Sequence, residues 1–138
     1  MTSPVTGPRS SDPVDTDRTT IVLAHGSRAD ESTQAHEALC EALATRLGAP
    51  VRPAYLELAE PSLDSVIEEL ALAGSHGVLV VPHFLAPGNH VQRDVPELIE
   101  RARSAHPDLD IEVTGHLGDE PGLVDLLGAM IVRSTSHS

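Results

Sequence analysis

Short apolar runs alternate with longer amphipathic stretches along most of this chain. Four runs of this kind are typical of buried β-strands: Thr20–Ala24, Val51–Leu56, Gly77–Val81 and Ile111–Val113. Parallel strands need long crossover connections, and the segments between these runs are long enough to be helices. The alternation therefore predicts an α/β fold in three layers, in which a four-stranded parallel sheet of order 2-1-3-4 is flanked by helices.

The first connecting segment, residues 30–47, predicts an amphipathic helix that ends at Gly48. Its apolar residues recur at the spacing of three and four that places side chains on one helix face. The face predicted to contact the sheet comprises Ala35, Ala38, Leu39, Ala42 and Leu43.

Three further helices are predicted from their boundary residues. The second begins at Pro61, because proline suits the first turn of a helix, and continues to Gly74. The third begins near Asp94 as its N-cap, with Glu97 completing a capping box, and stops before Pro107. The fourth covers residues 121–133.

The chain has 138 residues, which is the size of one domain. Residues 19–134 are predicted to form that domain, whereas residues 1–18 and 135–138 are polar and predict disordered tails. No run of about 20 apolar residues and no signal-peptide pattern is present in the sequence. The single cysteine, Cys40, leaves no internal disulfide, so we expect a cytoplasmic protein that does not interact with membranes.

The charge of the chain excludes several classes of function. The formal net charge is -12, which repels nucleic acid phosphates and anionic lipids. All nine basic residues are arginines. Without lysine there is no P-loop lysine, no pyridoxal Schiff base and no lysine nucleophile.

Histidine and glutamate side chains follow the predicted strands at their carboxyl ends. His25 follows the first strand, Glu57 ends the second, His83 and His90 follow the third, and His116 follows the fourth. Ligands of open α/β sheets bind outside the carboxyl ends of the strands. We therefore expect these side chains to lie along one edge.

Imidazole and carboxylate groups are suitable ligands for a borderline divalent metal ion. His25, Glu57 and His90 supply such a set, with His90 at the far end of a loop over residues 82–90. His83 is predicted to be structural, buried against a helix. The alternative is that these histidines cap helices or face water, and the residue pattern alone leaves that alternative open.

Three sequence motifs resemble those of the sirohydrochlorin chelatase family of class II chelatases. They are His-Gly-Ser-Arg at 25–28, Tyr-Leu-Glu with Glu-Pro-Ser at 55–62, and Pro-x-Phe-Leu-x-x-Gly-x-His-x-x-x-Asp-x-Pro at 82–96. The resemblance extends over residues 20–133. The third motif is long and specific, and the order and spacing of all three support the resemblance.

The resemblance implies a chelatase-like, flavodoxin-like fold and a lyase-type activity. Such an enzyme inserts divalent cobalt, iron or nickel into sirohydrochlorin or a related tetrapyrrole of cobalamin or siroheme biosynthesis, with release of two pyrrole protons. The metal is a substrate, and no organic cofactor is implied. The catalytic histidines would be His25 and His90, with Glu57 as a third metal ligand, in the short form that pairs two subunits as a homodimer.

Substrate contacts are assigned to the remaining candidates near the predicted edge. Arg28 and Arg93 are the basic residues expected there, where they could pair with substrate carboxylates. Phe84 could pack on a flat macrocycle, although packing in the core is the favoured interpretation.

Two other functions remain open from the sequence. A non-catalytic metal or tetrapyrrole carrier would have the same fold and ligands. A phosphatase-like hydrolase is disfavoured because Ala24 stands where histidine phosphatases have arginine, and Ser27 lacks the second glycine of a nucleophile elbow.

Overall fold

The structure is a computed structural model that describes residues 18–86 and 88–135, with only the backbone of His90. The predicted tails thus lie outside the described residues except at their inner ends, because Arg18 begins the first strand and Thr135 ends the last helix. The elements in chain order are β1 (Arg18–Ala24), α1 (Asp30–Leu47), β2 (Val51–Tyr55), α2 (Leu63–Leu72), β3 (Gly77–Pro82), α3 (Asn89–Ala105), β4 (Asp110–Val113), a 3₁₀ turn (Leu117–Asp119) and α4 (Pro121–Thr135).

The four strands form one parallel sheet in the order β2-β1-β3-β4, which confirms the predicted topology. The main hydrophobic core lies between one face of this sheet and helices α2 and α3. Ile21 of β1 and Val78 of β3 are fully buried there, and Ile67 of α2 and Ile99 of α3 pack into the same cluster. Within the described residues, no helix is both long and apolar enough to cross a membrane.

Helix α1 has the predicted bounds, but its predicted buried face is only partly correct, because Leu39 and Leu43 are partly buried and the three alanines are not. Ala35, Ala38 and Ala42 are exposed, whereas His36 and Cys40 are the buried residues of this helix. Alanine tolerates water as well as burial, so an alanine pattern determines the orientation of a helix weakly. Burial raises the pKa of the Cys40 thiol to about 11, which keeps it protonated and unreactive.

His36 connects α1 to the sheet through a polar contact. Its Nε2–H donates to the carbonyl oxygen of Val22 in β1 at 2.9 Å, and its ring lies edge-on to Tyr55 at a centroid distance of 5.2 Å. His83 stacks on the other side, with the ring centroids 5.7 Å apart. His83 is solvent-exposed overall, so its predicted burial is wrong, yet desolvation and the neighbouring His36 lower the pKa of the His83 imidazole.

Two helix starts differ from the sequence prediction. Helix α2 begins at Leu63 rather than Pro61, because the side chain of Ser62 accepts a hydrogen bond from the Ser65 amide and caps it. Helix α3 begins at Asn89 rather than Asp94 and continues through Pro96. Asp94 is therefore inside the helix and is not its N-cap, and Glu97 completes no capping box there.

The backbone conformation of the turn after β1 requires glycine at position 26. The φ angle of Gly26 is +106°, and a Cβ built on it would lie 1.7 Å from the carbonyl oxygen of Glu57. A side chain is therefore excluded both by backbone conformation and by the close approach of the segment after β2.

We expect Gly26→Ala to lower the free energy of unfolding by roughly 2–4 kcal/mol, because it adds both backbone strain and a steric clash. Gly48→Ala is the matched control, since Gly48 also has a positive φ angle, +65°, but no neighbouring atom within 4 Å of a built Cβ. Chemical denaturation measures both variants. Equal destabilisation of the two would show that the contact with Glu57 is unimportant.

The lowered pKa of His83 predicts a stability that decreases in mild acid. The unfolded chain, with an ordinary histidine pKa of 6.5, binds the proton more readily than the folded chain. The contribution of neutral His83 is thus fully present above pH 6.5 and is lost as the pH falls through that value toward the lower folded pKa.

His83→Gln should therefore lose less stability than the wild type when denaturation is repeated from neutral to mildly acidic pH. His76→Gln, which changes an exposed histidine just before β3, is the control and should keep the wild-type slope. A His83→Gln profile parallel to the wild-type profile would contradict the expectation.

Candidate functional site

His25 and Glu57 form a side-chain pair at the carboxyl edge of the sheet. The Nε2 atom of His25 lies 3.0 Å from Oε2 of Glu57. Both side chains are about half exposed, at 48% and 54%. The pair is thus preformed yet accessible from solvent, as a site for an exchanging ligand must be.

Backbone pairing holds these two residues together although they are 32 positions apart. The register of β1 and β2 ends at Ala24 opposite Tyr55, but the ladder continues beyond both strands. The amide of Leu56 donates to the oxygen of Ala24 at 3.0 Å, and the amide of Glu57 donates to the oxygen of His25 at 3.1 Å. The fixed backbone leaves only side-chain rotation to bring imidazole and carboxylate into contact.

Ser27 has a local structural role in the turn that follows. Its Oγ accepts a hydrogen bond from the amide of Ala29 at 3.0 Å, immediately before α1. This structural role gives no support to Ser27 as a nucleophile.

The His25–Glu57 pair opens into a cleft of about 300 Å³ between the sheet edge and α3, which we call the edge cleft. Its lining residues are His25, Leu56, Glu57, Val91, Asp94, Glu97, Leu98 and Arg101. Three carboxylates thus face one guanidinium. An acidic lining of this kind favours a cation over an anion.

His90 lies in the first turn of α3 rather than at the end of the preceding loop. The next residue, Val91, lines the edge cleft. The side chain of His90 lies outside the described residues, and its predicted part in the metal site stays a prediction.

The other three residues predicted to contact substrate do not line the edge cleft. Arg28 and Arg93 are exposed at the surface. Phe84 is only 9% exposed and belongs to the hydrophobic core, so its predicted packing on a macrocycle is replaced by core packing.

Arg101 is the cleft residue that sequence reasoning missed. The spacing of Val91, Asp94, Leu98 and Arg101 places them on one helix face. Asp94, Leu98 and Arg101 all fall within the helix predicted from Asp94, but the sequence pattern does not show which face of that helix turns toward the sheet edge.

His116 lies apart from the His25–Glu57 pair. It precedes the 3₁₀ turn, and its Nδ1 atom is 3.4 Å from Oδ2 of Asp119. It lines a second, more apolar opening between α3 and the end of β4 and does not line the edge cleft.

Across residues 18–86 and 88–135, and without the side chain of His90, no three His, Cys, Asp or Glu residues form a group able to hold a metal ion. The described part of the predicted ligand set is thus the two-residue pair of His25 and Glu57. A metal site with only two protein ligands would leave several coordination positions open.

Comparison with known proteins identifies relatives of known name. The chain is 34% identical over 118 residues to chloroplastic sirohydrochlorin ferrochelatase of Arabidopsis thaliana, covering 85% of this chain and 52% of that protein. It is 34% identical over 80 residues to sirohydrochlorin cobaltochelatase of Methanococcus maripaludis, covering 57% of this chain and 56% of that protein. The chain spans about half the length of these curated relatives.

Solved structures show the same fold. A CbiX protein from Marinobacter aquaeolei VT8 superimposes with a TM-score of 0.78 at 33% identity, covering 88% of this chain and 99% of that one. The sirohydrochlorin chelatase SirB from Bacillus subtilis in complex with cobalt superimposes with a TM-score of 0.69 at 30% identity. The match covers 78% of this chain and 47% of SirB. The family model described as CbiX matches residues 19–134, and this chain therefore belongs to the CbiX family of sirohydrochlorin chelatases.

Proposed function

We propose that this protein inserts a divalent metal ion, cobalt or iron, into sirohydrochlorin or a closely related tetrapyrrole. The observation that carries the proposal is the His25–Glu57 pair, with Nε2 and Oε2 3.0 Å apart at the mouth of an acidic cleft. Relatives are named as sirohydrochlorin ferrochelatases and cobaltochelatases, and one solved neighbour is a chelatase in complex with cobalt.

The first step in this proposal is capture of the metal ion. The carboxylates of Glu57, Asp94 and Glu97 raise the local concentration of divalent cations at the edge cleft. His25 and Glu57 then replace part of the hydration shell, and His90 from α3 supplies a further nitrogen. Imidazole and carboxylate ligands suit cobalt and iron without binding either so tightly that transfer stops.

The second step is transfer with loss of two pyrrole protons. The four macrocycle nitrogens form a stronger ligand set than the protein, so the ion moves downhill once it reaches the ring. Imidazole is the side chain best suited to accept a proton at neutral pH. In this proposal His25 and His90, once they have released the metal ion, each accept one of the two pyrrole protons and pass it to solvent.

We further propose that the tetrapyrrole binds in a cleft shared by two copies of the chain. The edge cleft of one copy contains a single arginine, Arg101, against three carboxylates, and Arg28 and Arg93 lie outside it. Substrate carboxylates need more cationic partners than this. A homodimer would double the arginines available around one macrocycle.

Anaerobic assays with sirohydrochlorin and each of cobalt, iron and nickel test the activity, with metallation followed by absorbance. We expect many equivalents of metallated product per chain. Product that stops at one equivalent would instead identify a carrier. No acceleration over the uncatalysed reaction with any metal would refute the proposal.

Substituting His25→Ala or His90→Ala should lower the insertion rate by roughly 100-fold or more, because each variant loses a ligand and a base. His76→Ala, at the opposite edge of the sheet, is the matched control and should keep the wild-type rate. Circular dichroism confirms the fold of each variant. A His90→Ala enzyme with normal turnover would remove His90 from the site.

The negative charge of the Glu57 carboxylate should strengthen the binding of the metal ion. Glu57→Gln keeps the shape of the side chain, but we expect it to raise the Kd for Co²⁺ by roughly 10-fold or more, since an amide is a poor metal ligand. Calorimetric titration measures the Kd, and Glu41→Gln on the exposed surface of α1 controls for the change in net charge. Equal affinities of the two variants would mean that Glu57 does not bind the metal.

A further inference from the structure

Leu58 directly follows Glu57 and has an unfavourable backbone conformation. Its φ angle is +67°, and across residues 18–86 and 88–135 no other residue except glycine has a positive φ angle. The left-handed region is disfavoured for residues with a Cβ atom, and asparagine and aspartate tolerate it better than leucine does. Leucine at this position therefore costs conformational free energy that glycine or asparagine would avoid.

Backbone hydrogen bonds on both sides of Leu58 hold this conformation in place. Before it, the amide of Glu57 donates to the oxygen of His25 at 3.1 Å. After it, the chain returns to β2, where the oxygen of Pro61 accepts a hydrogen bond from the amide of Tyr55 at 3.0 Å. These contacts do not involve the side chain of residue 58. The surroundings impose the positive φ angle, so the presence of leucine there needs a separate explanation.

Packing in the core does not explain the leucine. The Leu58 side chain is 48% exposed, and it does not belong to the hydrophobic cluster between the sheet and helices α2 and α3, whereas Leu56 packs against that cluster. An exposed leucine is ordinary by itself. An exposed leucine in a conformation that disfavours leucine is not, and residues with strained backbones cluster at ligand sites.

We propose that the side chain of Leu58 packs against the macrocycle of the tetrapyrrole while the ring receives the metal ion. This inference rests on the function proposed above and assigns one substrate contact to it. The ring must come within bonding distance of an ion held by His25 and Glu57, and consecutive Cα atoms are only about 3.8 Å apart. A broad, flat ligand at Glu57 therefore also reaches the next residue.

The size of the edge cleft supports this contact. Its volume of about 300 Å³ is at the lower end of the range of roughly 300–1,000 Å³ for cavities that enclose drug-sized ligands. A tetrapyrrole is larger than such a cavity, so most of the macrocycle must lie outside the cleft. Leu58 does not line the cleft, but it adjoins Glu57, which does. Its exposed side chain is thus part of the surface beside the cleft.

An apolar contact also suits the charge of the site. The carboxylates of Glu57, Asp94 and Glu97 repel the carboxylates at the rim of the substrate. Removal of the apolar face of the ring from water is favourable whatever the charge nearby. A contact between Leu58 and the ring therefore offsets part of the repulsion without adding a charge that would compete for the metal ion.

Titration of the metal-free protein with sirohydrochlorin, followed by absorbance under anaerobic conditions, tests the contact. Leu58→Asn tolerates the positive φ angle but lacks the apolar side chain, and we expect it to raise the Kd for sirohydrochlorin by roughly 10-fold. Leu58→Met should recover most of the affinity, because it restores a large apolar side chain. Leu72→Asn is the matched control, since Leu72 is an 82% exposed leucine at the end of α2, and it should bind as the wild type does.

Further measurements on Leu58→Asn separate a substrate contact from a structural role. Its free energy of unfolding should equal or exceed the wild-type value, because the backbone strain is relieved. Its Kd for Co²⁺ and its sedimentation coefficient should be unchanged. In the insertion assay, the KM for sirohydrochlorin should rise while kcat stays near the wild-type value.

Wild-type affinity of Leu58→Asn for sirohydrochlorin would overturn the inference, and so would a wild-type protein that does not bind sirohydrochlorin. A weaker affinity accompanied by lower stability or by altered sedimentation would also overturn it, because Leu58 would then support the fold or contact another copy. Failure of the proposed function is a distinct result. A protein that binds sirohydrochlorin through Leu58 but inserts no metal would refute the activity and leave the contact intact.

Discussion

The parallel pairing of β1 with β2, continued beyond the ends of both strands, is the constraint on which the site depends. The amide of Glu57 bonds to the oxygen of His25, and this contact is possible only because Gly26 has no side chain to separate the two segments. A one-residue change of register would turn one of the two side chains to the other face of the sheet. The local geometry of a single turn thus determines whether imidazole and carboxylate meet.

The fold was predictable because the alternation of apolar runs and helical segments extends along most of the chain. Four short apolar runs separated by helical segments leave few arrangements of a parallel sheet, and the order 2-1-3-4 is confirmed. The errors are local and have separate causes. Helix α3 continues through Pro96, which the sequence pattern suggested was near a helix start, and α1 buries His36 because its imidazole can bond to Val22. Tertiary packing overrides such local preferences.

The site was predictable only where topology alone placed its residues. His25 and Glu57 directly follow adjacent parallel strands, so strand order was sufficient to bring them together. Arg101 could not be found in the same way, because strand order does not determine which face of α3 turns toward the sheet edge, and Arg101 lies on that face. Phe84 belongs to the hydrophobic core, which the sequence favoured over packing on a macrocycle.

The charges of the edge cleft suggest that one copy of the chain binds the metal ion and that two copies together bind the tetrapyrrole. With Glu57, Asp94 and Glu97 facing Arg101, the cleft within one copy attracts a divalent cation and repels a carboxylated macrocycle. In the proposed function, one chain would therefore suffice for metal capture, whereas macrocycle binding would need cations from outside this cleft. The strongly acidic composition is consistent with this arrangement, because a cation captured at the edge lowers the local repulsion for the anionic substrate that follows it. Metal binding before tetrapyrrole binding is the order that these electrostatics favour.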